Sequence, residues 1–333
     1  MSGAAPVALD AMGGDHAPDE PVGAARAHAT LETPVRLYGP ETLLRPLVAG
    51  ANHITIVDSR PLEAHGEVAT AVRRAPESTL VRMMEDVRGG AASAAVSAGT
   101  TGAVLAAGLL FLRRVRGVRR PAIAVPLPSA SGPTLLLDAG ANAEVKVEDL
   151  AQFALMGALY ARLVLGAERP RVALLNIGEE AEKGTPLYQE AHGLVAAGAG
   201  ADYAFVGNIE GRDLLTGHAD VVVADGFTGN VALKTCEGTA RVLLEAIRAA
   251  ARSNPMAMAG GLLLKPALGG LRRRLDPETY GGALLVGLQG PVVIAHGNAE
   301  RTGLVNAMRV AEHAVAADVT GRLIDALREG AAA

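Results

Sequence analysis

The 333-residue chain contains one cysteine and few aromatic residues, and these shortages exclude several classes of protein. The single cysteine, Cys236, rules out an intrachain disulfide and fits a reducing compartment. With no tryptophan, 3% aromatic residues and a net charge of -4, the chain lacks the stacking side chains and basic surface of a nucleic-acid-binding protein. No apolar run approaches the roughly 20 residues that span a bilayer, and residues 1–9 do not resemble a secretory signal. We therefore expect a cytoplasmic protein with no nucleic-acid partner.

Glycine, in contrast, is abundant, with 40 residues that gather after short apolar runs. Such runs end in glycine-rich polar turns at 94–103, 134–144, 172–185, 203–213, 220–230 and 291–300, and the opening stretch "VALDAMGGDHAP" has the same pattern. Continuous apolar runs are typical of strands that are covered on both faces. Helical patterns lie between them, for example at 147–167 and 230–252. The sequence therefore predicts an α/β protein with a mainly parallel sheet and helices on both sides.

The chain has no Ser/Pro-rich linker and no low-complexity tract, so residues 1–333 are expected to form one domain or two intertwined subdomains. One segment, 254–275, combines many apolar residues with glycine and proline, and it ends in Arg272–Arg274. We predict that it protrudes from the domain, either into a membrane interface or into a dimer contact. The alternative is a helical hairpin that packs on its own chain.

The glycine-rich loops form the candidate binding site, because ligands of such sheets gather at the carboxyl ends of the strands. We expect six of these loops to converge at one edge, where backbone N–H groups and helix N-termini favour an anion such as phosphate. Neither the P-loop spacing nor G-x-G-x-x-G follows a strand, and no His/Cys spacing indicates zinc, so no cofactor and no metal are expected. The candidate phosphate-binding residues are Gly13, Gly14, Asp15, Gly99, Thr101, Gly102, Asn142, Glu179, Thr228, Gly229 and His296.

Lysine is rare among the 31 basic residues, since only four are lysine. A compact ammonium suits phosphate as a point charge, and Lys183 in "GEEAEKGT" is the strongest candidate. His16 and His296 follow predicted strands beside glycines, where a proton donor could reach a ligand. The G-x-S-x-G motif is missing, so no covalent enzyme intermediate is predicted.

Seven ordered blocks between residues 10 and 297 resemble the bacterial phosphate acyltransferase family, the acyl-(acyl carrier protein):phosphate acyltransferases. They are "DAMGGDHAP", "VSAGTTGA", "DAGAN…QFALMG", "NIGEEAEKGT", "GNIEGRD", "DGFTGNVALKTCEG" and "YGGALLVGLQGPVVIAHG". Two positions depart from the family pattern: Thr100 stands where asparagine is usual, and Asn298 where serine is common. The first departure weakens any ligand role for position 100.

The resemblance implies that a fatty acyl group passes from acyl carrier protein to inorganic phosphate, which gives acyl phosphate for phosphatidic acid and phospholipid synthesis. It also implies a homodimer with a three-layer α/β/α fold like that of isocitrate and isopropylmalate dehydrogenases. Attachment would be peripheral, at the inner face of the cell membrane and through residues 256–271.

This chemistry assigns roles to the candidate residues. Phosphate is itself an anionic nucleophile, so the enzyme must position it, and Lys183 with loop N–H groups could do so. Asn230, Thr228 or backbone amides could stabilise the oxyanion, with Asp225 in the same loop. His16 is the first candidate to protonate the leaving thiolate, and His296 is the second.

The acidic carrier protein requires a local basic surface on a chain of negative net charge. One arginine cluster spans residues 113–120, and a second is Arg272–Arg274. The docking candidates are Arg113, Arg116, Arg272 and Arg273.

Three alternatives stay open at this point. The first is a phosphate acetyltransferase-like enzyme that uses acyl-coenzyme A. The second is a nicotinamide-dependent decarboxylating dehydrogenase of the same fold class, and the third is a non-catalytic membrane-bound scaffold for lipid synthesis.

Overall fold

The structure is a computed structural model that describes residues 5–63, 66–275 and 277–332, without the side chains of 267–268, 271–275, 277–278 and 330–332. In this part of the chain, eleven strands form one sheet: β1 (Val7–Asp10), β2 (Val35–Gly39), β3 (Ile54–Asp58), β4 (Ala94–Ser97), β5 (Ala122–Ser129), β6 (Gly132–Leu137), β7 (Arg171–Leu175), β8 (Ala204–Ile209), β9 (Val221–Val223), β10 (Ala283–Val286) and β11 (Val292–Ile294). The α-helices are α1 (Asp19–His28), α2 (Glu41–Leu47), α3 (Val68–Arg74), α4 (Thr79–Arg88), α5 (Thr101–Ala107), α6 (Val147–Val164), α7 (Pro186–Ala197), α8 (Gly226–Ala251), α9 (Pro255–Leu275), α10 (Arg301–Ala316) and α11 (Val319–Ala332).

The sheet consists of two parallel halves joined by antiparallel strands, in the order β3-β2-β1-β4-β11-β10-β5-β6-β9-β7-β8. Neighbours are parallel from β3 to β11 and from β6 to β8. The pairs β11–β10, β10–β5 and β5–β6 are antiparallel. Because three antiparallel pairs separate them, the two parallel halves run in opposite directions.

The core lies on both faces of this sheet, which explains why the strand sequences are continuously apolar rather than alternating. Every residue of β4 and β9 is buried. Helices α1, α2, α6, α7, α10 and α11 cover one face, and α3, α4, α5 and the start of α8 cover the other. The predicted three-layer α/β/α fold with a mainly parallel, mixed sheet is thus confirmed.

Helices α8 and α9 pack on each other and leave many apolar side chains exposed. In the described chain, Leu233 is the last buried residue of α8, about two turns after the helix begins. Helix α9 runs through Pro266, although the pattern of glycine and proline indicated interruptions there. Met256 is 85% exposed and Leu263 is 83% exposed. Among the described residues no helix is long and apolar enough to cross a membrane.

Candidate active site

The glycine-rich loops leave the sheet at two edges, and the prediction that six of them meet at one edge is wrong. Strands β1, β4 and β11 end at one edge, and their loops (11–18, 98–100 and 295–300) are the first loop group. Strands β6, β7, β8 and β9 end at the other edge, and their loops (138–146, 176–185, 210–213 and 224–225) are the second loop group. The reason is that β10 and β5 make three antiparallel pairings in a row, with β11, with each other and with β6. An odd number of such pairings reverses the direction of the second half.

In the first loop group, Gly13 lies against a buried pair of polar side chains. Ser97 donates its hydroxyl to Asp10 Oδ2 at 2.8 Å, and the Gly99 N–H donates to Ser97 Oγ at 3.0 Å. A Cβ at Gly13 would stand 2.7 Å from Asp10 Oδ2 and 2.8 Å from the Gly99 nitrogen, so only glycine fits this approach. Burial raises the pKa of Asp10, and hydrogen bonds from Ser97 and the Met12 N–H oppose that shift.

The other predicted residues of this group lie in the neighbouring loops and in the first turn of α5. The Asp15 N–H donates to the Gly297 carbonyl at 2.7 Å, which ties the first loop to the loop that carries His296. His16 and His296 are both exposed, and Thr101 and Gly102 are exposed in the first turn of α5. The structure therefore brings Gly13, Gly14, Asp15, Gly99 and His296 together.

The second loop group is organised by Asp138, whose side chain is completely buried. Its Oδ1 accepts the N–H groups of Ile123, Gly140 and Ala141 at 2.9–3.1 Å. Its Oδ2 accepts both the backbone N–H and the side-chain amide of Asn142 at 2.8 and 2.9 Å. Asn142 is thus a structural partner of Asp138, and the five hydrogen bonds shape the loop from the inside.

Asp225 caps helix α8, and both of its carboxylate oxygens accept hydrogen bonds. Thr228 donates its N–H to Oδ1 at 2.8 Å and its hydroxyl to Oδ2 at 2.7 Å, and the Tyr188 hydroxyl also donates to Oδ2 at 2.7 Å. Burial raises the pKa of Tyr188 above its ordinary value, so the hydroxyl stays protonated and remains a donor. Asn230 donates to the Ala139 carbonyl at 3.1 Å. In this structure Asp225 ties the start of α8 to Tyr188 of α7, and Asn230 ties it to the Asp138 loop.

Close contacts at glycines enforce the same arrangement. A Cβ at Gly229 would stand 1.9 Å from the Asp138 carbonyl oxygen, and one at Gly226 would stand 2.7 Å from the Asn142 nitrogen. The "DGFTGN" glycines therefore permit helix and loop to touch.

Lys183 lies in the 176–185 loop, and its side chain is exposed beside Gly178. Its N–H donates to the Glu180 carbonyl at 3.1 Å, and its carbonyl accepts from the Asn176 amide at 3.1 Å. The backbone at Lys183 is thus held on both sides, while the ammonium is available for a ligand. Glu179 is exposed in the same loop, 3.9 Å from Arg212.

The twist of the sheet affects the angle between the directions in which the two loop groups point. Seven strand-to-strand steps separate β1 from β7. Strands of an ordinary sheet rotate by roughly 20–25° per step, so the rotation adds up to about 150°. Because β1 and β7 run in opposite directions, such a rotation turns their carboxyl ends toward similar directions in space. An ordinary twist would thus offset much of the reversal in strand direction.

The arginine segment 113–120 borders the second loop group, since Asn142 donates to the Pro121 carbonyl at 2.8 Å. Arg119 and Arg120 pair with the buried carboxylate of Asp149 at 2.7 and 3.5 Å. Arg113 and Arg116 are exposed and make no ion pair with the described residues. The side chains of Arg272 and Arg273 lie outside the described residues.

No group of three or more His, Cys, Asp or Glu residues in the described chain is arranged to hold a metal ion.

Comparisons with known proteins decide the family. The model of the family described as "Fatty acid synthesis protein" matches residues 5–322. The phosphate acyltransferase of Geobacillus thermodenitrificans is 46% identical over 321 residues, which cover 95% of this chain and 97% of the relative. That of Thermobifida fusca is 48% identical over 331 residues, which cover 98% of this chain and 91% of the relative.

The chain belongs to the phosphate acyltransferase family. The resemblance seen in the seven blocks is confirmed, and the protein is an acyltransferase that transfers an acyl group to phosphate in lipid synthesis. The dehydrogenase and the non-catalytic scaffold are therefore set aside.

Solved structures with low sequence identity share the fold of this phosphate acyltransferase. EutD phosphotransacetylase from Staphylococcus aureus has a TM-score of 0.61 at 18% identity and covers 94% of this chain and 95% of its own. The 4-hydroxythreonine-4-phosphate dehydrogenase from Klebsiella pneumoniae has a TM-score of 0.56 at 15% identity, over 95% of this chain and 99% of its own. The expected likeness to a dehydrogenase-type fold is thus confirmed at the level of architecture.

Several residues of the candidate site carry no specific signal in the sequence. Asp138 and Asp10 were visible only as ionisable residues after predicted strands, and Tyr188 lies within a helical pattern. Asn208 was visible as a polar residue at the end of an apolar run, which is an unusual place for a buried amide.

Proposed function

We propose that this phosphate acyltransferase takes its acyl group from acyl carrier protein and transfers it to inorganic phosphate. Phosphate attacks the thioester carbonyl, the carbon–sulfur bond breaks, and the products are acyl phosphate and the free carrier thiol. The observation that carries this proposal is the full-length likeness to proteins named phosphate acyltransferase. An exposed Lys183 whose backbone is hydrogen-bonded on both sides supports it, because an ammonium on a held backbone can bind an anionic nucleophile.

The proposed site uses both loop groups, which requires the twist of the sheet to bring its two edges to one side of the molecule. Lys183 and the Gly14 N–H bind phosphate, and Gly13 and Gly99 let the two loops approach each other there. The start of α8 stabilises the oxyanion through the second amide hydrogen of Asn230, because Asp225 already accepts both donors of Thr228. One donor to an oxyanion is typically worth roughly 3 kcal/mol. His16 protonates the departing thiolate, with His296 as the second candidate. Asp225 acts by holding Thr228 and the first turn of α8 in place.

The experiment that tests this function compares two acyl donors. Purified protein is supplied with phosphate and with long-chain acyl groups carried either by acyl carrier protein or by coenzyme A, and acyl phosphate is trapped as hydroxamate. We expect rapid product formation from the carrier protein. Equal or faster product formation from acyl-coenzyme A would favour the phosphate acetyltransferase-like alternative, which shares the fold of the phosphotransacetylases.

Arg113 and Arg116 form the proposed docking surface for the acidic carrier protein, together with Arg272 and Arg273. We expect the double change Arg113→Glu and Arg116→Glu to raise KM for acyl carrier protein about tenfold and to flatten its dependence on salt. Steady-state kinetics between low and high ionic strength measure both effects. A control is Arg162→Glu with Arg169→Glu, an equal charge change at the end of α6 and in the loop before β7. Equal KM values in the two double variants would move the docking site elsewhere.

The exposed apolar residues of α8 and α9 are proposed to serve two contacts. Val242 and Leu243 on α8 support a homodimer, since both are more than half exposed on a helix that leaves the body of the domain. The segment 256–271 is proposed to bind the inner surface of the cell membrane and to deliver the acyl phosphate there.

Replacing Leu262 and Leu263 with glutamate tests the membrane contact. Both side chains are exposed, so we expect the variant to fold normally but to lose co-sedimentation with anionic liposomes. Charge on an apolar contact surface opposes its burial among acyl chains. A double change of Val242 and Leu243 to glutamate is the matched control, and it should affect the oligomeric state instead. Retained liposome binding in the first variant would contradict the proposal.

A further inference from the structure

The "GNIEGRD" segment at 207–213 has no role in the proposed reaction, yet it packs against the loop that carries Lys183. The Asn176 N–H donates to the Ile209 carbonyl at 2.8 Å. The shortest side-chain link runs from Asn208 Nδ2 to the Glu180 carbonyl, also at 2.8 Å. The end of β8 therefore supports the 176–185 loop from beneath.

Asn208 and Lys183 share one hydrogen-bond acceptor. The Glu180 carbonyl accepts the Asn208 amide at 2.8 Å and the Lys183 N–H at 3.1 Å. A displacement of that carbonyl would move the backbone at Lys183 and hence the base of its side chain. Asn208 is thus linked to the backbone of Lys183 through two hydrogen bonds that meet at the Glu180 carbonyl.

The other half of the Asn208 amide is not satisfied. Asn208 is 5% exposed, and no donor among the described residues reaches its Oδ1. Rotating the amide by half a turn would place Oδ1 against the Glu180 carbonyl oxygen, so the observed orientation is fixed. A buried acceptor without a donor costs stability, and asparagine is a poor strand residue. An aliphatic residue would serve the stability of β8 better.

We infer that Asn208 is a positioning residue, which sets the place of Lys183 through the Glu180 carbonyl and does not touch the substrate. The inference rests on the proposed role of Lys183 in binding phosphate. It also assigns a purpose to a polar residue that stability alone does not explain.

The test replaces Asn208 with leucine, which is close in shape and has no amide. We expect kcat to fall at least tenfold, while KM for acyl carrier protein stays within twofold. The midpoint of thermal unfolding should stay equal or rise, because the unsatisfied acceptor is gone. Hydrogen exchange of the backbone amides at 178–184 should become faster.

Thr134→Val is the matched control, because Thr134 is buried and donates its hydroxyl to the Ala219 carbonyl at 3.0 Å near the β5–β6 turn. It should lower the unfolding midpoint and leave kcat within twofold. The inference is overturned if Asn208→Leu keeps kcat within twofold, or if exchange at 178–184 is unchanged. Lys183→Ala is measured beside it: retained turnover there defeats the proposed role of Lys183 in binding phosphate, whereas unchanged loop exchange in Asn208→Leu defeats only the positioning role.

Discussion

Lys183→Ala is expected to lower kcat/KM for acyl transfer by about 10²–10³-fold, the size of effect seen when a preorganised electrostatic contact is removed. The loop geometry explains the size of this effect. Hydrogen bonds to Glu180 and Asn176 fix the backbone on both sides of Lys183, so the ammonium is preorganised for an anion. Most of the loss should appear in KM for phosphate and in kcat, with KM for the acyl donor nearly unchanged. Initial rates at varied phosphate concentration measure this division.

Lys234→Ala is a suitable control for Lys183→Ala. Lys234 is also exposed, but it pairs with Glu237 at 2.8 Å on the outer side of α8. Its removal should leave kcat/KM within twofold. Turnover of Lys183→Ala near that of the unmodified protein would remove Lys183 from the site.

Asp138→Asn is expected to produce the largest loss of stability. The carboxylate accepts five N–H donors, and an amide of the same shape must turn its NH₂ group toward two or three of them. Those donors then lose their acceptor in a fully buried place. We expect the free energy of unfolding to fall by roughly 3–5 kcal/mol, measured by the urea midpoint, since hydrogen bonds to charged groups contribute about 1.5–3 kcal/mol each and do not add fully.

Activity should fall with stability in Asp138→Asn, because the same carboxylate shapes the loop against which Gly226 and Gly229 pack. Asp318→Asn provides the comparison, since among the described residues the Asp318 side chain accepts only the Gly321 N–H, at 3.2 Å in an exposed turn. It should cost less than about 1 kcal/mol. Equal urea midpoints in the two variants would show that Asp138 is not the structural centre of the loop.

Much of the fold could be predicted from the sequence because its signals are local. Apolar runs followed by glycine-rich turns located β1, β4, β6, β7, β8, β9 and β11, and helical periodicity located α6 and α8 within a few residues. The direction of the two halves could not be predicted in this way. It depends on the long-range pairing of β10 with β5, and neither strand has a local feature that distinguishes antiparallel from parallel pairing.

In the candidate site, too, local signals could be predicted from the sequence and long-range contacts could not. The residue types in the loops indicated an anion site, and the family likeness gave the reaction. The sequence did not reveal that Asp225 caps α8 through Thr228 or that Asn142 is bonded to Asp138, because these roles depend on which loop lies beside which. Asn208 is the clearest case, since its contact with the Glu180 carbonyl joins two segments 28 positions apart.

Direct attack by phosphate on the carrier-bound thioester is tested by exchange of label between acyl carrier protein and free carrier protein in the absence of phosphate. The protein is incubated with long-chain acyl carrier protein and isotopically labelled free carrier protein, and the labelled acyl form is measured over time. We predict no exchange until phosphate is added, together with formation of acyl phosphate once it is present. Rapid exchange without phosphate would reveal an acyl-enzyme and would contradict phosphate as the nucleophile that first attacks the thioester.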